Sequence, residues 1–401
     1  MTTKAIHILM LLAAISLSCI ACSEETVPQL VPDGGGQLRI AYKIAGVSMS
    51  RVPEDGWDNG WNENKVTRID LFVFNNDADK TLFKHVSSTE IPEFEEVEKA
   101  QTEQTFEQDK LTYNDIVSGS YTYYMVANCP SLDGINETDF TLDDLKEKLT
   151  PNLTFNQPQT SFAMDGMIEN TPSPTDNTIT LSFKLERAAA KIRLSVFGVN
   201  DESIIDECSF RLHNYVSDGT YVLTESEKYC INTSQLHHDM PQYQDWNSTL
   251  KYHDTEENID KAIFYSYPND WFDESLLNED GTFIAEDGDT YAKDDLIDEA
   301  RQTYIVVEYK KNTYKVPVNF SIANDNDRTF ANDEEEIAYI KEIRDKYYRI
   351  KRNHIYDIKA TIDVEANKIE VEHKILVNAW NEKENMDVIF GDESNESNES
   401  N

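Results

Sequence analysis

Residues 38–44 read LRIAYKI, and every second side chain of this stretch is apolar: Leu38, Ile40, Tyr42 and Ile44. In an extended strand, alternate side chains point to the same face. The stretch therefore predicts a β-strand with one face directed into a core. Similar segments recur along the chain at 66–74, 121–127, 179–185, 191–197, 303–309, 313–320, 355–364, 368–377 and 386–390.

Helical signals are fewer. Thr141, followed three residues later by Asp144, has the spacing of a capping box and predicts a short helix that ends before Pro151. A second helix is predicted at 337–348, with acidic residues before it and basic residues near its end. Many strands and few helices are typical of the all-β class, in a sandwich or a barrel.

The chain is long enough for two domains of ordinary size, since it has 401 residues and 39% of them are hydrophobic. A boundary near Leu185 divides it into an N-terminal domain, 37–184, and a C-terminal domain, 185–390. The last residues, 391–401, are the polar repeat GDESNESNESN without Val, Ile, Leu or aromatic residues. They predict a disordered tail.

The first 22 residues have the pattern of a secretory signal, with Lys4 before an apolar run at 8–15 and small residues leading to Cys22. The apolar run is shorter than the roughly 20 residues that a membrane-spanning helix needs. Cysteine at the junction predicts a lipoprotein: a signal peptide over 1–21, an acylated Cys22 and a linker over 22–36. Cys19 is the weaker candidate for acylation, and an ordinary cleaved signal is the alternative.

The composition argues against nucleic-acid binding. There are 75 acidic and 36 basic residues, which give a formal net charge of -39. Such a surface repels phosphate backbones, so we expect no nucleic-acid partner. Among the three cysteines after the signal, Cys208 and Cys230 could form a disulfide, and Cys129 would then remain free.

The sequence carries no motif of the common enzyme classes, such as GxSxG, HExxH or a P-loop, so we predict no catalytic residue, cofactor or metal. The acidic segments at 280–289 and 324–327 do not have the EF-hand spacing. Trp57 and Trp61 stand among Asn and Asp in DGWDNGWN and could stack on a glycan, although such rings more often pack over the end of a sandwich.

An ordered series of motifs resembles the fimbrillins, the subunits of Bacteroidales type V pili. After the signal come KVTRIDLFVF (65–74), MVAN (125–128), FAMDG (162–166), LERAAAKIRL (185–194), FYSYPN (264–269) and RNHIYDIKATI (352–362), followed by Trp380 and Val388. The resemblance implies two transthyretin-like β-sandwich domains. It also implies a structural and adhesive subunit on the outer membrane and in a cell-surface fimbrium.

In that family a trypsin-like protease cuts after an arginine and removes the first strand, and a strand of the next subunit refills the groove. Arg51 is the matching arginine here, which makes 37–51 the removable segment and other fimbrial subunits the partners. The lipid anchor would hold the precursor on the membrane until it is processed.

The resemblance leaves the position of the subunit open. A cleavable first strand and a short C-terminal segment favour a tip or minor subunit, which binds a host or bacterial receptor or a glycan. The alternatives are a glycan-binding surface lipoprotein and the membrane anchor subunit of the fimbrium.

Overall fold

The computed structural model describes residues 36–45, 64–89, 103–129, 132, 135, 139–148, 161–216, 236–237, 251–254, 258–284, 296–319, 330–376 and 387–388. Strands dominate these ranges. Three α-helices accompany them: α1 (Tyr113–Ile116), α2 (Leu142–Lys148) and α3 (Asp333–Tyr347). The predicted fold class, all-β with two transthyretin-like β-sandwiches and a few short helices, is confirmed. None of the described helices is both long and apolar enough to cross a bilayer.

The first sandwich contains seven described strands: β1 (Gln37–Ile44), β2 (Ile69–Asn75), β3 (Leu82–Ser88), β4 (Gln104–Thr105), β5 (Tyr121–Ala127), β6 (Met164–Ile168) and β7 (Thr178–Arg187). Their spatial order is β3-β2-β5-β6-β7-β1-β4. The last residues of β7 pair with β6, and its residues 178–185 pair with β1. Alternate apolar residues of β1, β2, β5 and β7 meet in a common core.

The second sandwich contains the strands β8 (Ala190–Gly198), β9 (Ser209–His213), β10 (Tyr215–Val216), β11 (Leu236–His237), β12 (Lys251–Asp254), β13 (Ile259–Ser266), β14 (Asn269–Asp270), β15 (Tyr304–Tyr309), β16 (Asn312–Pro317), β17 (Arg349–Ile350), β18 (Ile355–Asp363), β19 (Lys368–Leu376) and β20 (Asp387–Val388). Over the described residues, its larger sheet has the order β12-β13-β8-β18-β19-β20 and the facing sheet the order β16-β15-β9. Residues such as Leu194 and Ile358 of the larger sheet share a core with Phe210 and Val307 of the smaller one.

A second apolar cluster covers the outer face of the first sandwich. Phe72 and Tyr124 of β2 and β5 pack there with Leu142 and Leu145 of helix α2. The capping box predicted from the sequence begins this helix: the Asp144 amide donates to the Thr141 hydroxyl (3.2 Å), and the Thr141 amide donates to the Asp144 carboxylate (2.8 Å). The reciprocal cap fixes the point at which the chain turns onto the sheet.

Helix α3 begins four residues earlier than the sequence predicts, at Asp333. The Asn332 side chain accepts a hydrogen bond from the Glu335 amide at 3.0 Å, which caps this end. Four acidic residues occupy the first turn, where the helix dipole favours negative charge.

Candidate strand-exchange site

Strand β1 is bound along one side to β7 in parallel orientation. The register runs from Gln37 opposite Thr178 to Ile44 opposite Leu185 without interruption. The main-chain bonds extend to both ends, since the Gln37 amide donates to Asn177 (2.8 Å) and the Ala45 amide donates to Leu185 (2.7 Å). One complete edge of β7 is therefore occupied by β1.

The described neighbour on the other side of β1 is shorter. Among the described residues, strand β4 pairs Thr105 with Ala41 and Gln104 with Tyr42, and the Phe106 amide adds a bond to the Ile40 carbonyl at 2.8 Å. An exposed ion pair between Arg39 and Glu103 (2.8 Å) lies on the same side. Exposed pairs of this kind stabilise a fold by less than about 1 kcal/mol. Within the described part of the chain, strand β1 is thus attached mainly through β7 and through its own side chains.

The four alternating side chains of β1 share the face that points into the sandwich. Ile40, Tyr42 and Ile44 belong to the core, and Leu38 is half-buried and packs at its margin. Burial raises the pKa of the Tyr42 phenol to about 12, so it stays neutral at ordinary pH. Ala41, on the opposite face, is also buried. This strand therefore buries large side chains on one face and the small side chain of Ala41 on the other.

The end of β1 reaches a buried arginine. Arg187, the last residue of β7, is 0% exposed. Its Nη1 donates to the main-chain carbonyl of Ala45 at 3.2 Å and to Oδ1 of Asn353 at 3.1 Å, and its Nη2 donates to Oδ1 of Asn64. The guanidinium therefore joins the end of β1, the residue where the described chain resumes before β2, and the second sandwich.

A second arginine reaches back from the second sandwich to the first. Arg352 donates through Nε to the Arg187 carbonyl at 3.1 Å and through Nη2 to the Glu186 carbonyl and to Asp165. Asp165 also accepts a hydrogen bond from the Tyr124 hydroxyl. Asp165 is fully buried and Arg352 is 6% exposed. This group, which we call the junction cluster (Asp165, Arg187, Arg352 and Asn353), joins the two sandwiches.

Sequence reasoning missed the junction cluster, although the signal was present. FAMDG contains Asp165, LERAAAKIRL contains Arg187, and RNHIYDIKATI contains Arg352 and Asn353. Each motif places a charged or amide residue inside or next to an apolar run. A charged residue in such a setting is buried only when it is paired.

Several predicted site residues lie outside the described residues: the lipidation site Cys22, the processing site Arg51, the glycan candidates Trp57 and Trp61, and Cys230. Cys208 is buried with a free thiol, whose Sγ donates to the Ile204 carbonyl at 3.3 Å. Burial, together with the charge of Glu207, raises the pKa of this thiol to about 12. The Cys208–Cys230 bridge stays a prediction.

The acidic segments at 280–289 and 324–327 carry carboxylates that could ligate a metal. Within the described ranges, no group of three or more His, Cys, Asp or Glu side chains is arranged to hold a metal ion. The Asp280 carboxylate instead accepts hydrogen bonds from the amide and the hydroxyl of Thr282, at 3.0 and 2.7 Å. This arrangement is an ordinary Asx turn. Residues 324–327 lie outside the described part of the chain.

Fold and site together define a class of protein: a two-sandwich β-protein whose N-terminal strand fills a groove beside β7. Residues 37–208 match the family described as major fimbrial subunit protein (FimA). The resemblance to the fimbrillins seen in the sequence is confirmed over these residues. The family consists of structural fimbrial subunits, which assemble with other fimbrial proteins.

Three fimbrial proteins are among the solved structures that match this chain. The tip fimbrial protein Mfa3 from Porphyromonas gingivalis, with C-terminal truncation, is 13% identical, with a TM-score of 0.47 over 84% of this chain and 99% of that one. A fimbrilin (FimA) from P. gingivalis W83 is 11% identical, with a TM-score of 0.42 over 85% and 97%. A fimbrial assembly protein from Parabacteroides distasonis is 10% identical, with a TM-score of 0.40 over 84% and 95%. No curated protein matches the sequence significantly.

Proposed function

We propose that this protein is a tip or minor subunit of a surface fimbrium, assembled by donor-strand exchange and serving adhesion. The observation that carries the proposal is the attachment of β1. This strand lies at the N-terminal end of the described chain, pairs along its whole length with β7 and over two residues with the described part of β4, and inserts alternate apolar side chains into the core. Removing it would leave the rest of the chain covalently continuous.

An emptied groove would be unstable. Full burial of a large apolar side chain contributes about 1.5–3 kcal/mol, so Ile40, Tyr42 and Ile44 together contribute roughly 4.5–9 kcal/mol before entropy is considered. The β7 edge would also lose its main-chain partners, and an open edge of this kind pairs with another strand or aggregates. Strand addition from a neighbouring subunit restores both the bonds and the core.

Processing would release the strand and the anchor together. Arg51 lies in the segment 46–63, which connects the end of β1 to Asn64. A cut after Arg51 separates Cys22 and β1 from the two sandwiches, for which we propose the limits 37–184 and 185–390. The precursor would thus be held on the outer membrane by acylated Cys22, and the processed subunit would be free to enter the fimbrium.

The tip or minor position is supported by the C-terminal segment. Its described residues, Asp387 and Val388, form β20 and pair with Lys374 and His373 of the same chain. A subunit that donates its C-terminal segment needs that segment to be available to a neighbour. A chain that uses it within its own sheet accepts a strand and donates none.

The processing step is tested by limited digestion with an arginine-specific protease, followed by mass measurement. We expect early cleavage after Arg51, no such cleavage in Arg51→Ala, and unchanged cleavage in the control Arg39→Ala, because residue 39 is paired within the sheet. Circular dichroism should show both sandwiches still folded after the cut. Absence of a cut at Arg51 would instead favour an anchor subunit, which keeps its first strand.

A further inference from the structure

We infer that Arg187 determines how far a strand must extend through the groove, because it requires a main-chain carbonyl at the position of Ala45. This inference rests on the proposed strand exchange and specifies the partner strand. The acceptor in question is the carbonyl one residue beyond Ile44, the last inward side chain of β1.

Arg187 cannot follow the strand out of the groove. Its own main chain belongs to β7, where it pairs with Met164 of β6. Its guanidinium is held by the side chains of Asn64 and Asn353. Asn353 is itself fixed, because its main-chain N–H donates to the Ala189 carbonyl at 2.9 Å. The cation therefore stays at the end of the groove when the strand leaves, and it loses the Ala45 carbonyl as an acceptor.

The loss of this acceptor matters because the group is both charged and buried. A buried donor that loses its acceptor is destabilised by its desolvation, and the effect is larger for an ionised group. A strand that supplies all inward side chains but ends at the position of Ile44 would restore the core and leave this bond unmade. A strand that continues by one residue restores both.

The partner strand is thereby specified along its whole length. It lies parallel to β7, spans the nine positions 37–45, and places apolar side chains at positions 38, 40, 42 and 44. It has a small residue at position 41, where Ala41 is fully buried. It ends no earlier than position 45, so that its carbonyl reaches Arg187.

The test uses the full chain with a site-specific protease sequence inserted after Arg51, so that the cut does not depend on processing at Arg51. After the cut, two labelled peptides compete for the groove. One is residues 36–45 as the C-terminal amide, and the other is residues 36–44 as the N-ethylamide. The ethylamide retains the N–H, Cα and methyl of Ala45 but lacks its carbonyl group.

We expect the 36–45 peptide to bind about tenfold more tightly than the ethylamide in the wild-type protein. The ratio should fall to about one in Arg187→Met, and it should be unchanged in the control Arg211→Met, which lies on β9 and pairs with Glu308. The two peptides in the wild-type protein decide the question by themselves if Arg187→Met does not fold.

Equal affinities of the two peptides for the wild-type protein would overturn the role of Arg187 and leave strand exchange intact. Failure of both peptides to enter the groove would overturn strand exchange itself, and the inference with it. The two failures are therefore distinguishable in one assay.

Discussion

At the scale of single residues, the junction between the sandwiches depends on a charged pair in a buried setting. Asp165 and Arg352 are in contact, and neither has appreciable access to solvent. A buried ion pair contributes little net stability compared with an apolar replacement of the same shape, but removal of one partner leaves the other charge unpaired. The structure therefore predicts that single substitutions here are severe.

We expect Arg352→Met to lower the free energy of unfolding by about 3–5 kcal/mol, because Asp165 would lose its ion pair with Arg352 in a buried setting. The double variant with Asp165→Asn should recover part of the loss. Lys368→Met is the matched control, since its pair with Glu370 is exposed, and we expect it to change stability by less than about 1 kcal/mol. Urea unfolding measures the stability of all three variants. Equal losses in Arg352→Met and Lys368→Met would contradict the buried pairing.

A neighbouring histidine gives the junction a pH dependence. Burial, reinforced by nearby Lys351 and Arg349, lowers the pKa of His354 from 6.5 to about 4, despite the bond from its Nδ1 to the Arg352 carbonyl at 2.6 Å. Since the unfolded chain binds this proton between pH 6.5 and 4 while the folded chain does not, His354 makes stability fall as the pH is lowered through that window.

The variant His354→Gln removes this titration. As the pH is lowered from about 6.5 towards 4.5, the unfolding free energy of the wild type should therefore fall relative to that of the variant. His253→Gln is the control, because His253 is exposed. Parallel stability curves for wild type and His354→Gln across this range would show that His354 does not titrate as its burial implies.

At the scale of elements, β1 is predicted to be held by its inward face. Ile40→Ala should reduce the free energy of unfolding of the uncut chain by about 2–5 kcal/mol, because it removes a fully buried side chain from the core. Lys43→Ala should have little effect, because the Lys43 side chain is exposed on the opposite face of the strand. Denaturant unfolding of the two variants provides the comparison, and similar losses would contradict the assignment of the inward face.

Much of the strand content could be predicted from the sequence, because alternation is a local property. Strands β1, β5, β7, β8, β18 and β19 lie where period-two patterns indicate them. Strand β3 was missed because Lys84 and His85 interrupt the alternation of apolar and polar residues. Strand β6 was missed because it has only five residues and one of them is Gly166. The parallel pairing of β1 with β7 depends on tertiary contacts and follows from no local pattern.

The candidate site was predictable only in part, for the same reason. The inward-facing residues of β1 can be predicted from the seven consecutive residues 38–44. The acceptors of the Arg187 guanidinium lie 123, 142 and 166 positions away along the chain, and Asp165 lies 187 positions from Arg352. A single sequence marks such residues as unusual in an apolar run, but it does not indicate which of them meet.

At the scale of the whole molecule, two sandwiches are joined at a buried junction, and we propose that one strand of the first sandwich is replaceable. The net charge of -39 keeps separate subunits apart through like-charge repulsion, so association depends on specific contacts. Strand addition supplies such a contact through main-chain bonds and a filled core. We therefore propose that assembly depends on the groove beside β7.

Hydrogen exchange of the main-chain amides of β7 tests this claim most directly. After cleavage in the segment 46–63 and release of the first strand, amides of residues 178–185 that bond to β1 should lose protection, and they should regain it when the 36–45 peptide is added. Amides of β8 and β18 should remain protected throughout. Persistent protection of β7 after the cut, or loss of protection in both sandwiches at once, would contradict a replaceable strand.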